Sequence, residues 1–323
     1  MINIKLFMKK FLLATTITIQ SIAVSAQIFS ETFWTNGQCL FEATQKGDRI
    51  EFFGSAMLGD VGYDFTLIKR GRTTYSTEQG GSYTFGKYVE YRTIDDGYEN
   101  QLDLLIAYDD KDEMTEVFYK FDGSIDDLLK NNFLKLLDGV YTDAAGKEYT
   151  FDGASVNGTP FEVMCDEYGY ANNVKYKGKF YKFIFSDTGV NIYNARKVNG
   201  MVFGDVFTKT TIYKKLRKRT TNEPPHTGRW QYTSTDIVNV GMLSYFNDKA
   251  QLRIMRNEIF ARRGYLFLSP DLKTKFSKMP WYHPGTDNSK IHFSDLENLN
   301  INIIKKYETA YPTDFYKKIE KGL

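Results

Sequence analysis

The sequence predicts an α+β multidomain protein. An N-terminal antiparallel β part, made of two related β-units that form a barrel or a sandwich, is followed by a small C-terminal all-α domain. Three observations favour this class: glycine-containing turn pairs separate aromatic, strand-forming runs up to residue 213, a polar basic stretch follows them, and apolar residues then recur at helical spacing. The change of hydrophobic period along the chain therefore divides it into a β part and a helical part.

The first 26 residues predict an export signal. Lys5, Lys9 and Lys10 precede an apolar stretch from Phe11 to Ala23, and small residues follow it up to Ala26. This order is typical of a secretory signal peptide. No other stretch approaches the roughly 20 apolar residues that cross a bilayer as a helix. We therefore expect an exported protein, periplasmic or extracellular, that is soluble after cleavage near Ala26 and has no transmembrane segment.

Residues 27–213 predict antiparallel strands. Three turn pairs lie between strand-forming runs, as tight hairpins require. They are Asn157-Gly158, Lys177-Gly178 and Asn199-Gly200. A glycine-spaced pattern that begins at Gly47 recurs from Gly146, which predicts two related β-units over residues 27–123 and 138–213.

The aromatic residues of the β part have two alternative uses. They make up 16% of the whole chain, and exposed rings on a sheet can stack on sugars or nucleobases. Most aromatic side chains are instead buried in a core. We expect a core here, because the sequence shows no aromatic cluster flanked by convergent polar groups.

Two connecting segments are predicted. Residues 124–137 form a helix, since Ser124 can cap it, Asp127 occupies its third position and leucines follow at helical spacing. Residues 214–227 are polar and basic and contain Pro224-Pro225, which predicts a semi-rigid linker. The alternative use of this basic run is to grip an anionic partner. The helical domain then covers residues 228–323.

Charge is divided unevenly between the two parts. Residues 27–213 carry 19 basic and 29 acidic residues, a net charge of −10, whereas residues 214–323 carry 20 basic and 11 acidic residues, a net charge of +9. Opposite charges favour either mutual docking of the parts or an anionic partner for the second part, with plain solubility as the alternative. Export argues against nucleic acid as that partner.

Cys39 and Cys165 are the only cysteines in the sequence. Two cysteines suffice for one disulfide in an oxidising compartment, so we expect a bridge that ties the two β-units together. The alternative is a nucleophilic thiol. Such a thiol needs a nearby histidine, and all three histidines follow the β part.

Three helices are predicted after the linker, because apolar residues recur there at helical spacing. The first ends at Gly264, where glycine supplies a left-handed conformation. The second begins with proline at its first position, and the third begins with a capping box. The predicted caps are, in chain order, Asn247 or Asp248, then Ser269, then Ser294 with Glu297.

Three motifs in this region resemble, in their order, the YARHG domain of exported bacterial proteins. They are RNEIFARRGYLF, KFSKMPWYHP and FSDLENLNINII, within residues 232–308. The name-giving motif falls on residues 260–264, where this chain has Phe260 and Arg263 in place of tyrosine and histidine. The resemblance implies an extracytoplasmic accessory domain without an established biochemical activity, so it bears on location more than on function.

Four charged residues near the end of the first of these helices are candidate site residues: Arg256, Glu258, Arg262 and Arg263. Glu258 and Arg262 are four residues apart, in the order that favours a surface ion pair. Arg262 and Arg263 complement the negative end of the helix dipole. Arg256 lies partly in the apolar face and needs acceptors, such as backbone carbonyls or Glu297. We expect a structural role, with an anion-binding clamp of the three arginines as the alternative.

These observations predict an exported, non-enzymatic cell-envelope accessory or binding protein. The β part is expected to be a scaffold or ligand binder, and the basic helical domain an interaction module for an anionic cell-envelope polymer or another envelope protein. The alternative is an envelope hydrolase that uses His283 and His292, with Asp287 between them. The sequence contains no nucleophile elbow, paired-histidine helix or glycine-rich phosphate loop, and we predict no cofactor or metal.

Overall fold

The structure is a computed structural model, and the fold class predicted from the sequence is confirmed: antiparallel strands precede a helical region. The predicted signal peptide, the turn at Asn199-Gly200 and Asn247 lie outside the described residues. The structure describes residues 29, 31–56, 62–78, 81–83, 86–95, 101–165, 171–186, 188–198, 201–204, 214–218, 228–246 and 248–310.

The elements follow one another in chain order. The first eight strands are β1 Thr32–Thr35, β2 Cys39–Lys46, β3 Arg49–Ala56, β4 Gly62–Lys69, β5 Thr74–Thr77, β6 Tyr88–Asp95, β7 Gln101–Tyr108 and β8 Met114–Lys120. The remaining strands are β9 Gly139–Thr142, β10 Glu148–Asp152, β11 Ser155–Val156, β12 Thr159–Pro160, β13 Glu162–Met164, β14 Asn173–Tyr176, β15 Lys179–Ser186, β16 Gly189–Val198, β17 Met201–Gly204 and β18 Lys214–Lys218. The helices are α1 Ile125–Leu137, α2 Val240–Leu243, α3 Lys249–Arg262, α4 Pro270–Phe276 and α5 Asp295–Ala310. Short 3₁₀ segments cover Gln231–Ser234 and Asn288–Lys290.

Strands β1 to β8 form a closed antiparallel barrel. Each strand pairs with the next, and β8 pairs back with β1. Alternate residues of a barrel strand face its interior, and here the interior is aromatic. The rings of Phe52 and Phe65, for example, stack with centroids 4.4 Å apart. On β7, Leu105 belongs to this interior, whereas Leu104 and Ile106 face outward and are nevertheless buried, because the helical region packs against them.

Strands β9 to β18 form one antiparallel sheet that curls almost into a second barrel. Its order is β12-β11-β10-β9-β18-β16-β15-β14-β13, with β17 paired to β16. Phe161 alone separates the edge strands β12 and β13, so the two edges meet at this corner. Leu129, Phe133 and Leu137 of α1 pack into the interior of this sheet. Helix α1 therefore closes one end of the second barrel.

The local signals of the β part are confirmed where the structure describes them. Asn157-Gly158 connects β11 to β12 and Lys177-Gly178 connects β14 to β15, and all four residues have positive φ, as a tight hairpin turn of this kind requires. Ser124 caps α1 in a reciprocal capping box with Asp127.

The predicted linker is wrong over its first five residues. Lys214–Lys218 is strand β18, which pairs with β9 on one side and β16 on the other. Leu216 is buried in the interior of the second sheet. A strand with a single apolar residue among basic ones shows no period in the sequence, and its place in the sheet is set by partners far away in the chain. Residues 219–227 lie outside the described part.

The predicted ends of the helices in the helical region are also found in the structure, although one predicted cap makes no cap hydrogen bond. The Asp248 carboxylate accepts the Ala250 N–H at 2.8 Å and so begins α3. Gly264 follows the end of α3 with φ of 76°. Ser294 and Glu297 form a capping box at α5, with both hydrogen bonds at 3.1 Å. At α4, Pro270 occupies the first turn. Ser269, the residue before it, makes no side-chain cap hydrogen bond; its hydroxyl bonds the Asp271 carboxylate.

A buried polar node joins the barrel, α1 and the helical region. The Asn239 amide donates to Asn132 Oδ1 at 2.8 Å and to the Tyr119 hydroxyl at 2.9 Å. The Asn132 amide donates in turn to the Gly37 carbonyl at 3.2 Å. At Gly241 a Cβ atom would lie 2.0 Å from that carbonyl, so the close approach requires glycine. Among the described helices, none has the length and apolar character needed to span a membrane.

Candidate functional site

Glu258 and Arg262 form an ion pair, but it is buried, whereas their spacing predicted a surface pair. Arg262 Nη1 lies 2.9 Å from Glu258 Oε1, and each side chain is only 5% exposed. The same carboxylate oxygen accepts the Trp230 N–H at 2.7 Å. Burial lowers the pKa of the Arg262 guanidinium, and the neighbouring Glu258 carboxylate limits that decrease. The pair therefore ties α3 to the segment that enters the helical region.

Arg262 and Arg263 extend this pair into a network. The Arg262 guanidinium donates to the hydroxyls of Thr233 and Ser234. The Ser234 hydroxyl donates to Glu297 Oε1 at 2.8 Å, and Arg263 Nε lies 2.9 and 3.1 Å from the two Glu297 oxygens. Glu297 is 1% exposed, whereas Arg263 is 45% exposed. The network joins the end of α3 to the start of α5.

Arg256 has a different partner from the expected one. Its Nε lies 2.9 Å from Glu308 Oε2, near the far end of α5, and not beside Glu297. Arg256 and Arg263 therefore pair with α5 at two separate points. Each of the three candidate arginines pairs with a carboxylate of its own.

The remaining motif residues build the small core around these pairs. The Phe260 ring packs edge-to-face against Phe293, with centroids 4.9 Å apart, and against Tyr265 at 5.4 Å. The Gly285 N–H donates to the Gly264 carbonyl at 2.7 Å, and the Tyr282 hydroxyl donates to the Tyr265 carbonyl at 2.7 Å. A phenylalanine at position 260 suits this apolar packing, which needs no hydroxyl.

Residues 242–309 match the YARHG domain. The resemblance inferred from the three motifs is therefore confirmed over the C-terminal part of the chain, and these residues are called the YARHG region below. YARHG is a family of periplasmic or extracellular domains, which is consistent with an exported accessory protein. No curated protein and no solved structure matches the chain.

The histidines proposed for the alternative hydrolase lie on exposed segments of the YARHG region. His283 follows the buried pair Trp281 and Tyr282, and His292 follows a 3₁₀ turn. The Asp287 carboxylate caps that turn, since it accepts the N–H and the hydroxyl of Ser289 at 3.0 and 2.7 Å. In the described part of the chain, no three His, Cys, Asp or Glu side chains form a cluster suited to a metal ion.

Cys39 and Cys165 belong to different parts of the core. Cys39 is a buried free thiol in the first barrel, and Cys165 packs against the interior of the second sheet. The structure therefore does not pair them. Burial and the nearby Glu116 carboxylate raise the pKa of the Cys39 thiol to about 12, which keeps it protonated and weakly nucleophilic.

Three lysines that sequence reasoning did not single out carry outward positive charge in the YARHG region. Lys273 and Lys275 lie on α4 and Lys278 lies two residues after its end, and all three are exposed. None has a carboxylate within 4.0 Å among the described residues. We call these three residues the lysine patch. Leu268, which is 86% exposed, precedes α4 in the chain.

The acidic residue nearest to the lysine patch in the sequence is itself paired. Asp271 is the one acidic residue between positions 264 and 286, and its carboxylate is bound by Arg253. Hydrogen bonds from Arg253 and Ser269 hold the pKa of Asp271 well below its usual range. The sequence signal for this patch is the spacing K-T-K-F-S-K, in which exposed lysines accompany the buried Leu272 and Phe276 of the same segment.

Other lysines of the YARHG region face the acidic barrel. A cleft of about 880 Å³ lies between strands β6 to β8 and helix α5. Lys305 and Lys306 line it from α5, and Asp109, Asp112 and Glu113 line it from the barrel. Some of the positive charge of the C-terminal part therefore faces negative charge of the barrel within the same molecule, where the two parts dock. The lysine patch is not part of this cleft.

Proposed function

We propose that this protein is an exported, non-enzymatic accessory protein of the cell envelope that binds an anionic envelope polymer through the lysine patch. In this proposal the β part is the scaffold that holds the YARHG region. The proposal rests on a difference between the arginines and the lysines of the YARHG region in how they are paired. Arg256, Arg262 and Arg263 are bonded to internal carboxylates, whereas the lysines of the patch point to solvent beside no described carboxylate.

Lysine suits this task better than arginine. An ammonium is a compact, well-hydrated charge on a flexible stem, whereas a guanidinium favours one fixed, bidentate partner. A polymer with repeated phosphate or carboxylate groups offers many equivalent charges and no single geometry. Each exposed contact contributes about 1 kcal/mol or less, so binding depends on several lysines acting together and weakens as salt screens them.

The scaffold role rests on how firmly the two parts dock. The buried node at Asn239 and Asn132 and the outward apolar residues of β7 hold the helical region, which includes the YARHG region, against the barrel. A polymer bound at the lysine patch would therefore be linked to the whole molecule and not to a tethered domain.

Sedimentation with insoluble peptidoglycan tests this proposal. The mature protein should sediment with peptidoglycan that carries its anionic accessory polymer, and should be released at about 1 M salt, where the Debye length is about 3 Å. The triple variant Lys273→Glu, Lys275→Glu, Lys278→Glu should stay in the supernatant. A matched control is Lys175→Glu, Lys177→Glu, Lys179→Glu, which changes the net charge equally on the exposed hairpin of β14 and β15.

Two outcomes would overturn the proposal. One is equal sedimentation of the patch variant and the wild type, which would place binding elsewhere. The other is equal sedimentation with peptidoglycan stripped of its anionic polymer, which would remove the polymer as partner. An equal loss in the control variant would show that overall charge, and not this patch, governs binding.

A further inference from the structure

The second barrel contains a cavity of about 330 Å³ in its interior. Its walls are apolar and largely aromatic, with Phe151, Phe161 and Phe183 buried among them. No residue of helix α1 lines it, although Phe133 of α1 packs against Phe183. An apolar cavity of this size with polar groups at its mouth is the usual form of a small-molecule site.

The mouth of the cavity carries an ordered polar group. Lys214 Nζ bonds the Tyr149 hydroxyl and lies 3.2 Å from Asp143 Oδ2, and the Tyr149 hydroxyl is 3.1 Å from the same oxygen. The ammonium also lies 4.6 Å from the centroid of the Tyr149 ring. The hydrogen bonds that the Lys214 ammonium donates to the Tyr149 hydroxyl and to the Asp143 carboxylate raise the pKa of Lys214, so it stays charged. The Tyr149 ring is thereby fixed at the entrance.

A second lysine gives the mouth an excess of positive charge. Lys147 Nζ lies 5.6 Å from the centroid of the Tyr149 ring, and no described carboxylate lies within 4.0 Å of it. Together with Lys214 and Asp143 it makes two ammonium groups and one carboxylate. The entrance therefore favours a ligand with one negative charge, whose apolar body lies against the phenylalanines.

We propose that this cavity binds a small anionic amphiphile, a carboxylate with an aromatic or short aliphatic body. Water occupies about 30 Å³ per molecule in the liquid, so the cavity has room for roughly ten non-hydrogen atoms. The apolar body enters the barrel, and the carboxylate stays at the mouth between Lys147 and Lys214. This site and the lysine patch lie in different parts of the chain, so either proposal can fail without the other.

Isothermal titration with three matched probes tests the ligand class. 4-Phenylbutyrate, 4-phenylbutanol and 4-phenylbutylamine share one apolar body and differ in the charge of the head group. The carboxylate should bind at least threefold more tightly than the alcohol, and the amine most weakly. Equal affinity for carboxylate and amine, or no binding of any of the three at millimolar concentration, would overturn the proposal.

Substitutions at the wall and at the mouth of the cavity test whether the ligand binds there. Val156→Trp places an indole at the wall of the cavity and should reduce the affinity for 4-phenylbutyrate at least tenfold. Lys147→Gln should reduce it about threefold, as expected for one exposed charge, while leaving the alcohol unchanged. Lys177→Gln is the control, because Lys177 lies 5.2 Å from the Tyr176 ring in the same kind of contact but does not line the cavity. Unchanged binding of 4-phenylbutyrate by Val156→Trp would place the site elsewhere. If Val156→Trp does not fold, the surface variant Lys147→Gln tests the proposal independently.

Discussion

Arg262 Nη1 lies 2.9 Å from Glu258 Oε1, one turn apart on α3, and both side chains are almost fully enclosed. The carboxylate also accepts the Trp230 N–H, so it serves two segments at once. Removal of the guanidinium would leave a buried carboxylate without its counter-charge. We therefore predict a structural role for this ion pair in the YARHG region.

We expect Arg262→Met to lower the free energy of unfolding by about 3 kcal/mol, as measured by urea denaturation. The double variant Glu258→Gln, Arg262→Met should lose less, because no unpaired charge remains in the core. Arg253→Met is the control, since Arg253 pairs with the exposed Asp271 and should contribute less than about 1 kcal/mol. Equal losses in Arg262→Met and Arg253→Met would contradict the buried role.

The contact of Gly241 with the Gly37 carbonyl predicts a second stability effect. A Cβ at position 241 would overlap that carbonyl and push α2 away from the barrel. We expect Gly241→Ala to lower the free energy of unfolding by about 2 kcal/mol and to speed proteolysis between the two parts. Gly285→Ala is the matched control, because a Cβ there meets its nearest neighbour at an ordinary distance of 3.5 Å. If both variants resist protease equally, the node does not hold the parts together.

Local rules predicted much of this fold. The hairpin turns, the cap of α1 and the capping box at Ser294 depend on residues within four positions of each other, and these features are confirmed. Strand β18 and the closure of the first barrel depend on pairing between distant residues, which no local pattern records. The assignment of Lys214–Lys218 to a linker failed for this reason.

The candidate site likewise combines features that local spacing predicts with features that depend on distant residues. The spacing of Glu258 and Arg262 predicted their contact, but their burial depends on Trp230 and Thr233, which reach α3 from an earlier segment. Likewise, Arg256 needed an acceptor, and the sequence could not tell Glu297 from Glu308 because both lie on one helix. The spacing of the three lysines is visible in the sequence, but their contrast with the arginines of the YARHG region, each of which pairs with a carboxylate, is seen only in the structure.

The two cysteines should differ in reactivity. Burial in the first barrel and the nearby Glu116 carboxylate raise the pKa of Cys39 to about 12, so at pH 8 almost none of it is thiolate. Cys165 is half-buried at the edge of the second core. We expect iodoacetamide to label Cys165 well before Cys39 in the folded protein, and both at similar rates in urea. Mass spectrometry without reductant that shows a bridged form resistant to labelling would instead support the disulfide expected from the sequence.

Glu116 provides a pH test of the barrel interior. It lies on the same face of β8 as the buried Phe118, and its Oε1 accepts hydrogen bonds from the Asn36 amide and, at 2.7 Å, from the Tyr83 hydroxyl. Burial raises the pKa of Glu116 above its ordinary value, although these two hydrogen bonds and Lys306 on α5 oppose the shift. The folded protein therefore holds this proton more tightly than the unfolded chain does.

A raised carboxyl pKa stabilises the fold below the ordinary value, and this stabilisation is lost as the pH rises through the folded-state pKa. Glu116→Gln keeps the oxygen that accepts both hydrogen bonds and removes the charge. We therefore expect the urea midpoint of the wild type to fall relative to Glu116→Gln between about pH 4 and pH 8. Asp64→Asn supplies the opposite sign, because hydrogen bonds from Ser82 lower the pKa of Asp64. The wild type should therefore gain stability relative to this variant as the pH rises towards about 4, the ordinary pKa of an aspartate, and should keep that gain at higher pH. If the difference in urea midpoint between the wild type and Glu116→Gln does not change with pH, the pKa of Glu116 is the same in the folded protein as in the unfolded chain.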